Sequence, residues 1–600
     1  MVTYMSISTK KTSLSSSTLI VLAAATVLGV VMSAAYAIAT FSYDSEPSEP
    51  LSYATQRTLA NLHADAISGR YGDYLAGRSA SISGEHAQAV HYLQSLKDDK
   101  DINEDIAPLL MQQALLSGDV ALAIEAAKRT YHHNNYHQLA TLTLAVEQLK
   151  TGDTGTAKAT IKQLKPYGIY TLIYPFMQSW FQYSPDTPLL PIHTHKSLKH
   201  HAYNALQHYH EGWQHQLKND SAQALRSFKR TIEAPKDALD MTLFGVMHYY
   251  VQHGNNKEAE ALYQQAKQTH ERALIWNILP FKIALDDIQQ SNDFAVTTIE
   301  DGVAHALIHL SVLLYQEGAT QDALQLATLA HYLQPQNNVI TFNLAHLLEA
   351  DEQYERILAL YASVKQPEIL RAASQVEQGR ILYLAQRDDE AVALLQDATQ
   401  HQGTAYHRFM ILGDIARIRQ EHKKAAHYYS QAIDPLELQK SDWQILYKRG
   451  IAYDMADEWD KAEADFQKAL SLYPDQPEVT NYLAYSWLVR GQQVEKAEDL
   501  LKKAVEKRPD SAHIIDSYGW ALFKQARYDE ALKLIERAIS LLPSDPTIND
   551  HYGDILWKLG RHSEARYQWQ RALVFEPKEQ SDIDAIHKKI EHGLEHHSNQ

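Results

Sequence analysis

Asn481, Asp516 and Asp550 recur at intervals of 35 and 34 residues, and each is followed four residues later by Tyr485, Trp520 or Asp554. Tyr447 and Ile451 stand one interval earlier in the same relation, and Phe523 and Trp557 follow in step. A separation of four puts each pair on one face of a helix. Carboxamides and carboxylates in a row can bond an extended peptide backbone, and rings beside them can cover its side chains. The chemistry in view is recognition. The row Tyr447, Asn481, Tyr485, Asp516, Trp520, Asp550, Asp554 and Trp557 is therefore the candidate site, unless these residues only solvate an inner face or pack on the next unit.

Histidine is the other candidate. The chain has 31, among them His132–His133, His193 with His195, His200–His201, His208 with His210, and the tail residues His587, His592, His596 and His597. A metal site needs convergent ligands held by an outer shell, which tails and rims do not supply. These histidines read as solvated imidazoles, charging between about pH 7 and 5.5. No phosphate loop, zinc-binding H-E-x-x-H, dinucleotide fingerprint or nucleophile elbow occurs. Exposed Asp/Glu pairs are plentiful on an acidic helical surface, so none is promoted to a catalytic dyad. The expectation is no catalytic residue, no cofactor, no metal, and no enzyme.

The elements that carry the row come from a periodic register. Gly379, Gly413, Gly450, Ala484, Gly519 and Gly553 are spaced 34, 37, 34, 35 and 34 residues apart. Ala391, Ala425, Ala462, Ala497, Ala531 and Ala565 follow them, then Ala398, Ala432, Ala469, Ala504, Ala538 and Ala572. Pro474, Pro509, Pro543 and Pro577 close the last four units. This is the tetratricopeptide repeat (TPR) pattern. Each unit is a helix, a turn and a second helix. The small residues sit where two backbones approach, large ones such as Phe466, Ile535 and Trp569 fill the rest, and proline ends the second helix. One pair cannot bury its own apolar face, so neighbours stack. The resemblance implies an all-α, right-handed solenoid of antiparallel helix pairs, with positions 5, 9 and 12 of each first helix lining its concave surface.

The register continues backwards through Ala345, Ser311, Met247 and Gly212 to Ala145, Met111 and Gly77, giving 13 units. Stretches 165–205 and 270–300 lack the signature but stay apolar and aromatic, so they read as degenerate helix pairs. The loop around Pro185, Pro188 and Pro191 is the expected break.

The net charge of −17 argues against nucleic acid as partner. The absence of cysteine excludes disulfides, thiolate metal sites and a lipid anchor on Cys, and suits an oxidising setting. Lys10 and Lys11 precede an uncharged run with small residues at Ala35–Tyr36–Ala37 and Ala37–Ile38–Ala39. That is the layout of a secretory signal. The run from Thr18 to Phe41 is also 24 residues long, enough for an uncleaved membrane anchor. Either reading places the repeats outside the cytoplasm. The expected organisation is 1–41 signal peptide or transmembrane anchor, 42–69 tether and first helix, 70–300 degenerate N-terminal array, 301–579 C-terminal array, and 580–600 capping helix with a His-rich tail. In the cap, Ser581 precedes an apolar stripe of Ile583, Ile586, Ile590 and Leu594.

The strings NYLAYSW (481–487), IIDSYGWAL (514–522), TINDHYGDILWKLGR (547–561) and YGDYLAGR (71–78) resemble exported TPR proteins of Gram-negative, alphaproteobacterial-type bacteria. More remotely the chain is similar to TPR lipoprotein adaptors of carboxy-terminal processing proteases. The resemblance implies a non-catalytic scaffold or adaptor that binds proteins or extended peptides in the periplasm or cell envelope and presents substrates to a protease. The alternative is an inner-membrane-anchored assembly factor for envelope or polysaccharide machinery.

Overall fold

The computed structural model describes residues 70–594, apart from 98–102, 134–136, 193–200, 234–238, 270–291, 399–403, 434–437, 439, 475 and 578–579. The expected signal or anchor and tether, the helix pair expected over 270–300 in its greater part, and His596–His597 lie outside the described residues. Those described form 28 α-helices and no strand. They fall into two compact units that divide between Pro367 and Glu368.

Unit 1 holds α1 (Arg70–Ile82), α2 (His86–Ser95), α3 (Asn103–Ser117), α4 (Val120–His133), α5 (Gln138–Lys150), α6 (Thr154–Ile161), α7 (Tyr170–Phe181), α8 (His201–Leu217), α9 (Ser221–Thr231), α10 (Asp240–Gln252), α11 (Asn256–Thr269), α12 (Ile299–Gln316), α13 (Thr320–Leu333), α14 (Asn338–Glu349) and α15 (Tyr354–Ser363). Unit 2 holds α16 (Glu368–Leu384), α17 (Asp388–Asp397), α18 (Ala405–Ile418), α19 (His422–Ile433), α20 (Trp443–Met455), α21 (Trp459–Leu472), α22 (Pro477–Val489), α23 (Val494–Lys507), α24 (Ala512–Lys524), α25 (Tyr528–Leu541), α26 (Pro546–Lys558), α27 (His562–Val574) and α28 (Gln580–His592).

The small residues do what the pattern requires of them. An ideal Cβ on Gly379 would stand 2.4 Å from Leu395, on Gly413 2.5 Å from Tyr429, on Gly450 2.5 Å from Phe466, and on Gly553 2.4 Å from Trp569. Each partner lies sixteen residues on, in the second helix of the same pair. Gly519 departs from this, because its nearest contact is Leu534 at an ordinary 3.4 Å.

The turns obey a second rule. Seven residues after each of the 13 register positions the backbone is left-handed: 84, 118, 152, 219, 254, 318, 352, 386, 420, 457, 491, 526 and 560. The next amide then reaches back five residues, as from Arg387 to Leu382 O (2.8 Å) and Glu458 to Tyr453 O (2.8 Å). This helix-ending motif satisfies carbonyls that the first helix would leave bare. Glycine fills only seven of the 13 positions, which is why glycine alone does not reveal the turns.

Unit 2 is a plain stack, in which each second helix packs on the first helix of the next pair. Unit 1 is not. Its α12 packs on α7 and α8, and α13 packs on α3 and α5, so later helices cover the first-helix side of earlier ones. Arg356 donates to Leu116 O (2.8 Å) at the end of α3, and Tyr332 bonds Glu147. The packing thus joins residues 299–363 to the helices before them, whereas their register is shared with the repeats after them. Among the described residues, stretch 165–205 holds α7, a non-helical run over 182–192 containing all three prolines, and the start of α8.

Ala526 is the smallest non-glycine at a left-handed turn (φ 59°). That conformation costs an L-residue about 1–2 kcal/mol, while glycine gives back about 0.5–1 kcal/mol in chain entropy. Ala526→Gly should stabilise unit 2 by about 0.5 kcal/mol, and Gly560→Ala should destabilise it by about 1 kcal/mol, as read by urea unfolding.

Candidate functional site

The candidate row lies on α20, α22, α24 and α26, the first helices of four successive pairs. Pro477 and Pro546 open two of them at the first helical turn, where no amide is lost. The structure splits the row in two.

At the near end the side chains are half-buried. Tyr447 sits against Phe466 and Tyr482, both with ring centroids 6.0 Å away. Burial, with Glu478 nearby, pushes its hydroxyl up to about 12. Asn481 holds its Oδ1 out of solvent with no hydrogen-bond donor. Burial also raises the Tyr485 hydroxyl. Trp520 stacks on Phe523 at 4.7 Å and on His551 at 3.9 Å and 13°.

At the far end the carboxylates are spent internally. Asp516 is buried and takes His551 Nδ1 at 2.9 and 3.1 Å. Lys589 of α28 donates to both oxygens of Asp550 at 2.8 Å and to Asp554 Oδ2 at 2.9 Å. Asp554 Oδ1 accepts from Trp569 Nε1 at 2.9 Å. Trp557 stacks on His562 at 4.1 Å. Burial opposes the charged His551 ring, yet Asp516, with Asp550 and Asp554 behind it, raises its pKa. Burial and then Asp550 push Asp554 up to about 6 in spite of Lys589. Asp516, Asp550 and Asp554 therefore do not form a free acidic strip. They are half of a ladder between neighbours, which includes Lys448–Asp414 at 2.7 Å and the Arg490–Asp454 pair.

In the C-terminal cap, Ile586, Ile590 and Leu594 of the expected stripe join Trp569 and Leu556 in one cluster, which does not include Ile583. Helix α28 starts at Gln580, so Ser581 lies inside its first turn. The reading of the paired histidines as solvated fails at His210, which has no exposed surface. His208 is half-buried on Glu211 (3.0 Å), while His132 and His587 are exposed. Among the described residues no three His, Asp or Glu side chains converge as a metal site.

Residues 443–476 and 519–582 both match the tetratricopeptide repeat. This chain carries TPR units. A TPR repeat-containing protein of Pseudomonas aeruginosa is 29% identical over 192 residues, 32% of each chain. The BBSome complex member BBS4 of Bos taurus is 29% identical over 112 residues, 18% of this chain and 20% of its own. The matches thus span a third or less of these relatives. Among solved structures, MamA from Desulfovibrio magneticus RS-1 is 18% identical over 30% of this chain and 99% of its own, with a TM-score of 0.26. The APC/C hetero-tetramer Cut9–Hcn1 is 14% identical over 90% of this chain and 99% of its own, with a TM-score of 0.35.

Counted in the TPR register, His551 and Lys448 both occupy position 6, one unit beyond the acid each pairs with. Reading only positions 5, 9 and 12 misses them. Acid–base spacings of 34 to 36 residues are the signal that would have found them. Lys589 falls outside any TPR unit, and its place on the polar side of the cap gave no hint.

Lys589→Met would strand the buried Asp554 and the half-buried Asp550. It should lower the stability of α26–α28 by about 3 kcal/mol at pH 7.5. An acid whose folded pKa is raised gains stability as pH falls through that value, so the loss should shrink by pH 5.5 as Asp554 takes up a proton. Amide exchange of α26 at the two pH values checks both.

Proposed function

We propose that the protein is a non-catalytic adaptor of the cell envelope. It holds extended segments of other proteins on the first-helix face of unit 2 and presents them to an envelope protease. The observation that carries this reading is Asn481. Its Oδ1 is a buried acceptor without a donor, a state that costs about 1–3 kcal/mol. A peptide N–H laid between Tyr447, Tyr485 and Trp520 would satisfy it, and the rings would cover the flanking side chains. The self-paired acids leave this near end as the working part of the row.

A second reading is an inner-membrane-anchored assembly factor. The run Thr18–Phe41 favours it, being 24 residues long where about 20 suffice to span a bilayer. Among the described residues no helix is long and apolar enough to cross a membrane. An intact Met1 on the exported protein selects this reading, and a new N-terminus at Ile38 or Thr40 removes it.

A photo-crosslinking residue in place of Tyr485 should capture partner proteins in cells. The same residue in place of the exposed Gln467, on the second helix α21, should not. Asn481→Ala should reduce capture from position 485 about tenfold with unchanged thermal stability. Equal capture from both positions would rule the face out.

A further inference from the structure

Three histidines that the adaptor reading does not use meet inside unit 1. His210 of α8 has 0% of its surface exposed, and His305 and His309 of α12 have 5% and 2%. The Trp180 Nε1–H of α7 donates to His210 Nδ1 at 3.0 Å. That nitrogen is therefore unprotonated, and the His210 proton is on Nε2, which faces His309 Nδ1 at 3.4 Å. The second proton of the pair then falls on His309 Nε2. The Tyr209 hydroxyl faces His305 Nδ1 at 3.3 Å.

The Trp180–His210–His309 chain has one consistent protonation state, with both of its rings neutral, while His305 bonds the Tyr209 hydroxyl and the Asp293 backbone. A proton added to His210 would set an N–H against the Trp180 N–H, and one on His309 Nδ1 would set an N–H against the His210 N–H. The surroundings are those of a core. Phe176 and Trp180 come from α7 and Tyr209 from α8, each with a ring centroid within 6 Å of His210. His248 of α10 is buried beside His305. The carboxylates that face His305 are Asp293 and Asp301. Both are engaged, Asp301 by the amides of Thr297 and Thr298 and Asp293 by Asn338. The cluster joins α12 to α7 and α8, the contact by which later helices cover the inner side of the array.

We propose that His210, His305 and His309 form an acid-sensitive latch: at neutral pH they seat α12 on α7 and α8, and proton uptake below about pH 6 unseats it and frees the inner face of unit 1. Burial lowers all three imidazoles, His305 to about 4. A histidine whose folded pKa is depressed takes up its proton on opening, so the closed form loses ground as pH falls from about 6.5 toward the folded value. Each proton taken up multiplies the opened population about tenfold per pH unit. A second histidine contact that closes unit 1 has the opposite sign. His86 reaches Asp351 Oδ2 at 3.3 Å and Gln113 Oε1 at 2.7 Å. Although burial opposes it, these bonds raise its pKa, so acid holds α14–α15 in place while it releases α12.

Amide hydrogen exchange on the full-length chain, corrected for intrinsic rates, tests this between pH 7 and 5. Protection in 170–181, 201–217 and 299–316 should fall by more than tenfold per pH unit below pH 6, while α20–α26 stay protected. In His309→Asn the amide oxygen stands in for Nδ1, and the steepness should drop by about tenfold per pH unit. Flat protection of those segments in the wild-type chain, or an equal loss in α20–α26, would overturn the latch whether or not the variant folds.

Discussion

The helix pairs of unit 2 depend on one contact that recurs at Gly379, Gly413, Gly450 and Gly553: a first-helix backbone touching a large side chain sixteen residues on. Phe466 against Gly450, Tyr429 against Gly413 and Trp569 against Gly553 leave no room for a β-carbon. Two helices packed that closely form a rigid pair, and its remaining apolar face must be covered by the next pair. Stacking, the alignment of equivalent positions into rows, and any recognition surface built from those rows follow from this contact.

Rows of equivalent positions serve the array before they serve a partner. Asp414–Lys448, Asp516–His551 and Asp550–Lys589 tie successive units together, which fixes the acidic half of the expected groove as internal structure. What these pairs leave of the row is aromatic and amide in character. Unit 1 carries the same economy further, because α12 and α13 occupy the side of the array that would otherwise be its groove.

The period was legible because packing holds most of these positions to glycine, alanine or serine, with Met111 and Met247 as departures. Thirteen registers could be placed by spacing alone, and all 13 carry the left-handed turn seven residues later. Tertiary closure was not legible. Residues 299–363 have ordinary repeat spacing, and nothing local tells α12 that its partners lie near Trp180 and His210 rather than only in the next pair. His210 illustrates the limit: in a His-rich segment it looks like its half-buried neighbour His208, yet it sits one residue past Tyr209 in the core. The candidate row does lie on the first helices, but pairing across units, with partners 34 to 39 residues away in sequence, takes up its acidic members.

The most direct test of the packing rule compares two glycines at the same register position. Gly450 has no space beside Phe466, whereas Gly519 meets only ordinary contacts. Thermal unfolding of Gly450→Ala should show a loss of about 1–3 kcal/mol from overpacking. Gly519→Ala should show no loss and a gain of up to about 1 kcal/mol from helix propensity. Equal effects at both positions, or stabilisation by Gly450→Ala, would contradict the account.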